Sequence, residues 1–216
     1  MHTTTEKQIV KMDDLKIFKQ KEIKNLKKLR FVAWMLLLTV DIGIILFFLY
    51  GFYGAYAERN IATNFIVYVM PTILAIQCIL LLVLGLIGIV IYNRFQFAIK
   101  AINSLNEEYL QLYREYVYSI DRAFAGIPPY LFTQRGMIVQ SNFSHVLYPP
   151  NSIDKLTITI VSRGRIPRNT IKIYQNDQVK SSLTFIGFQT RRLAFLKANV
   201  KRENPRVIIE EVEHKT

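Results

Sequence analysis

The chain of 216 residues has little of what catalytic and disulfide-built proteins usually rely on. A single cysteine, Cys78, excludes a disulfide framework and any cysteine-built zinc cluster. His2, His145 and His214 stand far apart, without metal-ligand spacing. No G-x-S-x-G, Walker or G-x-G-x-x-G pattern occurs, and the acidic pairs Glu107-Glu108 and Glu210-Glu211 read as solvent-facing. No catalytic residue, metal or cofactor is assigned, and a non-enzymatic protein is expected. Acidic residues are scarce, 16 against 28 Lys+Arg, which gives a net charge of +12. Hydrophobic residues nonetheless make up 51% of the chain. That composition suits neither an ordinary soluble enzyme nor a disordered tail.

The apolar residues are concentrated. Residues 31–53 (FVAWMLLLTVDIGIILFFLYGFY) carry one charge, Asp41, and residues 65–92 carry none. At about 1.5 Å per residue, each run is long enough to cross a hydrocarbon layer of about 30 Å as a helix. Tyr50, Tyr53, Tyr56, Tyr68 and Tyr92 lie near the run ends, where amphipathic rings favour the interface. Ala55-Tyr56-Ala57 has a small-x-small form, but the region before it is too long for a signal peptide and Asp41 interrupts it, so a retained span is expected. Nine Lys/Arg precede the first run, seven of them within 16–30, whereas the connection 54–64 holds only Glu58 and Arg59. Excess cations stay cytoplasmic. The pattern predicts a multi-pass cell-membrane protein with both ends cytoplasmic. Its parts are a basic amphipathic helix (1–30), spans at 31–53 and 65–92, a short external loop (54–64), a helical stalk (93–125) and a cytoplasmic β-rich domain (126–216).

Within the basic segment, Leu15, Phe18, Ile23, Leu26 and Leu29 form an apolar stripe, and lysines occupy much of the rest. One reading lays this helix on anionic lipid, with Lys16, Lys19, Lys24, Lys27 and Lys28 at the membrane surface. The other packs it on another part of the protein. Ile102, Leu105, Tyr109, Leu112, Tyr116 and Ala123 recur at 3/4 spacing with no breaker between 93 and 124. This predicts an unbroken stalk, pairing with the basic helix or with a second copy, until Gly126-Ile127-Pro128-Pro129 stops it. Pro71 falls inside the second run as a candidate kink or hinge.

Beyond 130 the period changes to that of strands. Residues 130–133 and 137–140 flank Gln134-Arg135-Gly136 as a hairpin, and residues 156–161 and 170–174 alternate. Asn176-Asp177 reads as a turn before 179–188. Residues 189–203 read as a helix ended by Asn204-Pro205, and 207–212 as a last strand. The predicted fold class is a membrane α-helical hairpin plus a cytoplasmic α+β domain, a small antiparallel barrel or sandwich closed by the C-terminal helix.

Four stretches, YLFTQRGMIV, VLYPPNSIDKL, TIKIYQNDQV and FQTRRLAFLKANVKRENPRVII, carry a resemblance. In form they are similar to the opening hairpin, the lead into a central strand, a polar-turned hairpin and the closing helix of bacterial two-transmembrane-helix proteins with a C-terminal pleckstrin-homology-like (PH-like) domain. The resemblance implies a PH-like fold and a binding or scaffolding module. It brings no catalytic or ligand motif, and the final strand after the helix departs from the simplest barrel of that kind.

Asp41 is the sharpest single feature, a carboxyl at the middle of a span. In an antiparallel hairpin Gln77 and Cys78 fall at its depth. The predicted intramembrane polar pair, Asp41 with Gln77, has three readings: a protonated Asp41 hydrogen-bonded to Gln77 or Thr39 that glues the hairpin, a dock for a cationic partner residue, or part of an ion or proton path. Arg163, Arg165, Arg168 and Lys172 form a candidate site for an anionic ligand or headgroup, or a solvated basic face. Arg191, Arg192, Lys197, Lys201, Arg202 and Arg206 dress the last helix and its exit, and no nucleic-acid motif accompanies them. The expected role is to anchor, scaffold or regulate a membrane complex, with the bilayer and another membrane protein or a second copy as partners. The alternatives are an oligomeric ligand-gated effector whose β-domain senses a small anionic signal, and an accessory subunit of a transporter.

Overall fold

The computed structural model describes residues 2–57, 70–118, 127–140, 144–161, 168–186 and 190–214. Two compact units divide the chain: Asn25–Gln96, and Met1–Lys24 together with Phe97–Thr216.

The first unit is built from parts of two long helices, α1 (His2–Ala57) and α2 (Met70–Asn103). No proline precedes Pro71, so nothing in α1 removes a backbone donor. Pro71 is the second residue of α2, and the residues immediately before Met70 lie outside the described ones. The helices run antiparallel. Trp34 lies on Gly88, where an added Cβ would come within 2.6 Å of the indole, and the Arg30 guanidinium sits 5.0 Å from the centre of the Tyr92 ring. Most of the apolar surface here stays uncovered: 6% of the most apolar window of α1 and 11% of that of α2 is buried.

In the second unit the expected unbroken stalk is interrupted. α2 ends at Asn103, and α3 (Glu107–Tyr118) begins after Ser104-Leu105-Asn106. The cause is local. The Ser104 N–H and hydroxyl both donate to Ala101 O, closing α2, while Asn106 Oδ1 accepts the Tyr109 N–H at 3.0 Å and caps α3. Glu107 and Glu108 then complement the helix dipole in the first turn. The 3/4 seam is buried by this chain's own elements. Phe18 of α1 packs against Tyr113 and Tyr118, and Tyr116 meets Tyr130 edge-on at 5.2 Å and Phe195 at 5.6 Å. Ala123 lies outside the described residues.

Seven strands follow: β1 (Tyr130–Thr133), β2 (Gly136–Gln140), β3 (His145–Tyr148), β4 (Lys155–Val161), β5 (Arg168–Gln175), β6 (Gln178–Ile186) and β7 (Ile208–His214), with α4 (Thr190–Glu203) before β7. They do not close into a barrel. Among the described residues they form an antiparallel sheet β1-β2-β3 and a separate sheet β6-β5-β4-β7, in which β7 runs parallel to β4. The hydroxyl of Tyr148 on β3 donates to Ser181 Oγ on β6 at 2.7 Å and links the two sheets.

The position of β7 follows from the Asn204-Pro205 exit. Asn204 Nδ2 donates to Ile153 O at 2.9 Å, and the Ile208 N–H donates to Asp154 O at 3.0 Å, so the chain leaving α4 is laid beside the start of β4. Alternation then fills the core: Leu156, Ile158, Ile171, Ile173, Leu196 and Val200 are fully buried. Asn176 and Asp177 both have positive φ, 52° and 58°, the two-residue turn whose twist suits a hairpin. Gly136 has φ 115°, and a Cβ there would fall 2.0 Å from Tyr148 O.

Gly136→Ala is therefore expected to lower the stability of this unit by about 1–3 kcal/mol, read as a drop in the unfolding midpoint of the full chain in detergent. Burial also pushes the Tyr116 hydroxyl from its ordinary 10 up to about 12. Between those values the unfolded state binds fewer protons than the folded one, so stability falls as pH rises, by about 3 kcal/mol for this group. Denaturation measured from pH 9 to pH 12 should show the loss, and Tyr116→Phe should make it smaller.

Candidate functional site

The interior of the helical pair holds one polar contact that the sequence brings to equal depth. Gln77 Nε2 donates to both carboxyl oxygens of Asp41, each at 3.0 Å. Asp41 is buried, 8% exposed. Thr39 turns to its own helix, its hydroxyl donating to Met35 O at 2.9 Å, and Cys78 faces outward. A charged Asp at the centre of a span costs about 3 kcal/mol on insertion scales. Interhelical hydrogen bonds return about 0.6 kcal/mol on average and at most about 1.7.

Two contacts of the same helical pair, Arg30 on Tyr92 and Trp34 on Gly88, escaped the sequence reading. The depth-matching that pairs Asp41 with Gln77 could have found both. Gln96 Nε2 donates to the Tyr92 hydroxyl at 2.9 Å and orients the ring.

Along α1, Lys16, Lys24, Lys27 and Lys28 are exposed. Lys16 lies 3.9 Å from Asp13. Lys19 is half-buried and its ammonium donates to Asn103 O at 2.7 Å, at the end of α2. Leu15 and Phe18, on the opposite stripe, are buried.

The cations of the β-rich unit are dispersed. Arg163 and Arg165 lie outside the described residues. Arg168 and Lys172 are exposed on the outer face of β5, four residues and so about 13 Å apart along the strand. Lys155 is matched by Glu210 at 2.8 Å on the same face. On α4 the Arg192 guanidinium sits 5.5 Å from the Tyr116 ring centre, Lys197 is paired with Glu211, and Arg202 lies 3.8 Å from Glu203. An apolar depression of about 190 Å³ lies among Leu112, Tyr116, Tyr130 and Phe195, without an ionic group. No group of His, Cys, Asp or Glu suited to a metal ion occurs among the described residues.

Comparison of the chain with protein-family models, curated proteins and solved structures found no match.

Gln77→Leu should leave the Asp41 carboxyl without its donor and weaken the helical pair by about 1–2 kcal/mol. The double change Asp41→Leu with Gln77→Leu should recover or exceed the original stability. Detergent-unfolding curves of the three proteins check both statements. A double variant no more stable than Gln77→Leu alone contradicts them.

Proposed function

We propose that this chain is a non-catalytic integral membrane protein: an antiparallel helical hairpin in the bilayer that anchors a cytoplasmic PH-like binding module and scaffolds or regulates a membrane complex. The observation that carries the reading is the uncovered apolar surface. A core helix of a soluble protein is mostly buried, whereas 6% and 11% of the two apolar windows are. Phe31, Leu36, Leu38, Ile42, Leu46 and Phe47 on α1 are more than half exposed, apart from few neighbours, and α2 repeats this with Leu74, Ile79, Leu82, Leu86 and Ile89. In water such a surface would drive aggregation. In lipid it is the expected exterior.

The charges support an orientation. Seven cations lie within 16–30, and Arg94 and Lys100 follow the second apolar run. The positive-inside rule then keeps both ends of the hairpin cytoplasmic. An antiparallel sheet, a mixed sheet and a C-terminal helix support a binding module. Asp41 supports an intramembrane dock, because its cost exceeds the return from Gln77 alone.

In a Cys78→Ser background, Lys16→Cys and Lys180→Cys should react with an impermeant thiol reagent only after cell lysis, and the protein should resist alkaline carbonate extraction. Labelling of either position on intact cells, or release by carbonate, defeats the reading. Co-purification from native membrane should retain a partner protein that Asp41→Asn loses.

A further inference from the structure

One cation of the helical pair rests half-buried on an aromatic ring without a hydrogen-bond acceptor among the described residues. Arg30 Nη1 is fully covered, yet it has no hydrogen-bond partner among the described residues. Its guanidinium faces the Tyr92 ring at 5.0 Å, which uses the flat of the group and leaves its N–H edges unmatched. Arg30 as a whole is half-buried, so a phosphate can meet the part of the guanidinium that stays open through a charge-assisted N–H bond.

The surroundings follow one vertical order. Lys27, exposed and without an ion pair among the described residues, stands one turn before Arg30 on α1. Trp34 stands one turn after it, 37% exposed, with its ring laid on Gly88. On α2, Gln96 holds the Tyr92 hydroxyl as an acceptor and leaves the hydroxyl proton unspent. Cations therefore lie at the edge of the uncharged run that starts at Phe31, with an aromatic apolar surface one turn inside it. That order matches a phosphodiester with an acyl chain below it, not a free anion.

We propose that Lys27, Arg30 and Trp34 of α1, with Gly88, Tyr92 and Gln96 of α2, form a binding site for one anionic glycerophospholipid. Arg30 and the Tyr92 hydroxyl hold the phosphate, Lys27 favours a headgroup with net negative charge, and Trp34 carries the first part of an acyl chain. Gly88 is required because a side chain there would displace the indole. The site rests on the membrane reading above, since only an inserted hairpin presents it to lipid.

The test is native mass spectrometry of the full chain released from vesicles of phosphatidylcholine and phosphatidylglycerol in equal parts. The wild type should retain one phosphatidylglycerol in preference to phosphatidylcholine. Arg30→Gln should reduce that retention about tenfold or more, the loss of a charge-assisted pair, and Lys27→Gln should reduce the headgroup preference. Arg135→Gln, an exposed cation elsewhere, should change neither. Equal retention of both lipids by the wild type, or full retention by Arg30→Gln, overturns the proposal. Displacement of the lipid by millimolar inorganic phosphate also overturns it, because the site would then take a free anion. Carbonate extraction of the same vesicles separates the two levels: a protein that is released refutes insertion itself, whereas one that stays embedded without lipid preference refutes only the site.

Discussion

The constraint on which the rest depends is the apolar surface that the two long helices leave uncovered. A chain of this size normally hides such residues in a core, and here the β-rich unit has its own core of Leu156, Ile158, Ile171, Ile173, Leu196 and Val200. The helices contribute nothing comparable to themselves. Under the membrane reading proposed above, lipid supplies the solvent that these apolar side chains need, and this requirement orders the remaining features. Between Arg30 and Arg94 the charged residues are Glu58 and Arg59 of the connection and Asp41, whose carboxyl is held by one amide. Trp34 and Tyr92 occupy the level where apolar gives way to charged.

The second unit is organised by aromatic contacts rather than by charge. Tyr116 of α3 meets Tyr130 of β1 and Phe195 of α4, and Tyr130 donates to Arg192 O at 3.0 Å. One ring of α3 thus touches two further elements, β1 and α4. Edge-on aromatic pairs add about 0.5–1.5 kcal/mol each beyond their burial, so this cluster fixes the helix–sheet packing more firmly than the exposed ion pairs do. The segment of α1 around Phe18 joins the same cluster through Tyr113, and Lys19 seals the end of α2. This docking accounts for the apolar stripe of the basic segment without lipid, and it leaves Lys16 and Lys24 outward.

Much of the strand order was legible because period-two alternation and turn residues are local signals. Asn176-Asp177 needs only its own two positive φ angles to define a hairpin. The partners of each strand were not legible, because alternation says which face is buried and not what lies beside it. That information resides in long-range contacts such as Asn204 to Ile153, which makes β7 parallel to β4 and, with the split between the sheets, replaces the expected barrel. The break at Ser104-Leu105-Asn106 was hidden for another reason. Ile102, Leu105 and Leu112 keep helical spacing across it, and the decisive residue is a single cap, Asn106. Asp41 with Gln77 was legible because antiparallel pairing equates depth with sequence position. Of the basic cluster around Arg168, Arg163 and Arg165 lie outside the described residues, while Arg168 and Lys172 share the exposed face of β5 because alternation places them there.

Asp41 and Arg30 show the same physics with opposite outcomes. Both are ionisable groups drawn out of water by the same two helices. Asp41 receives its hydrogen bonds from within, from Gln77, at a position where lipid tails could offer none. Arg30 receives an aromatic face but no acceptor among the described residues. Under the membrane reading proposed above, the helical pair meets the polar demand that a hydrocarbon interior cannot meet and leaves open the one that an interface can. A soluble helical hairpin would have no reason to divide its polar contacts by depth in this way, whereas one built for a bilayer has to.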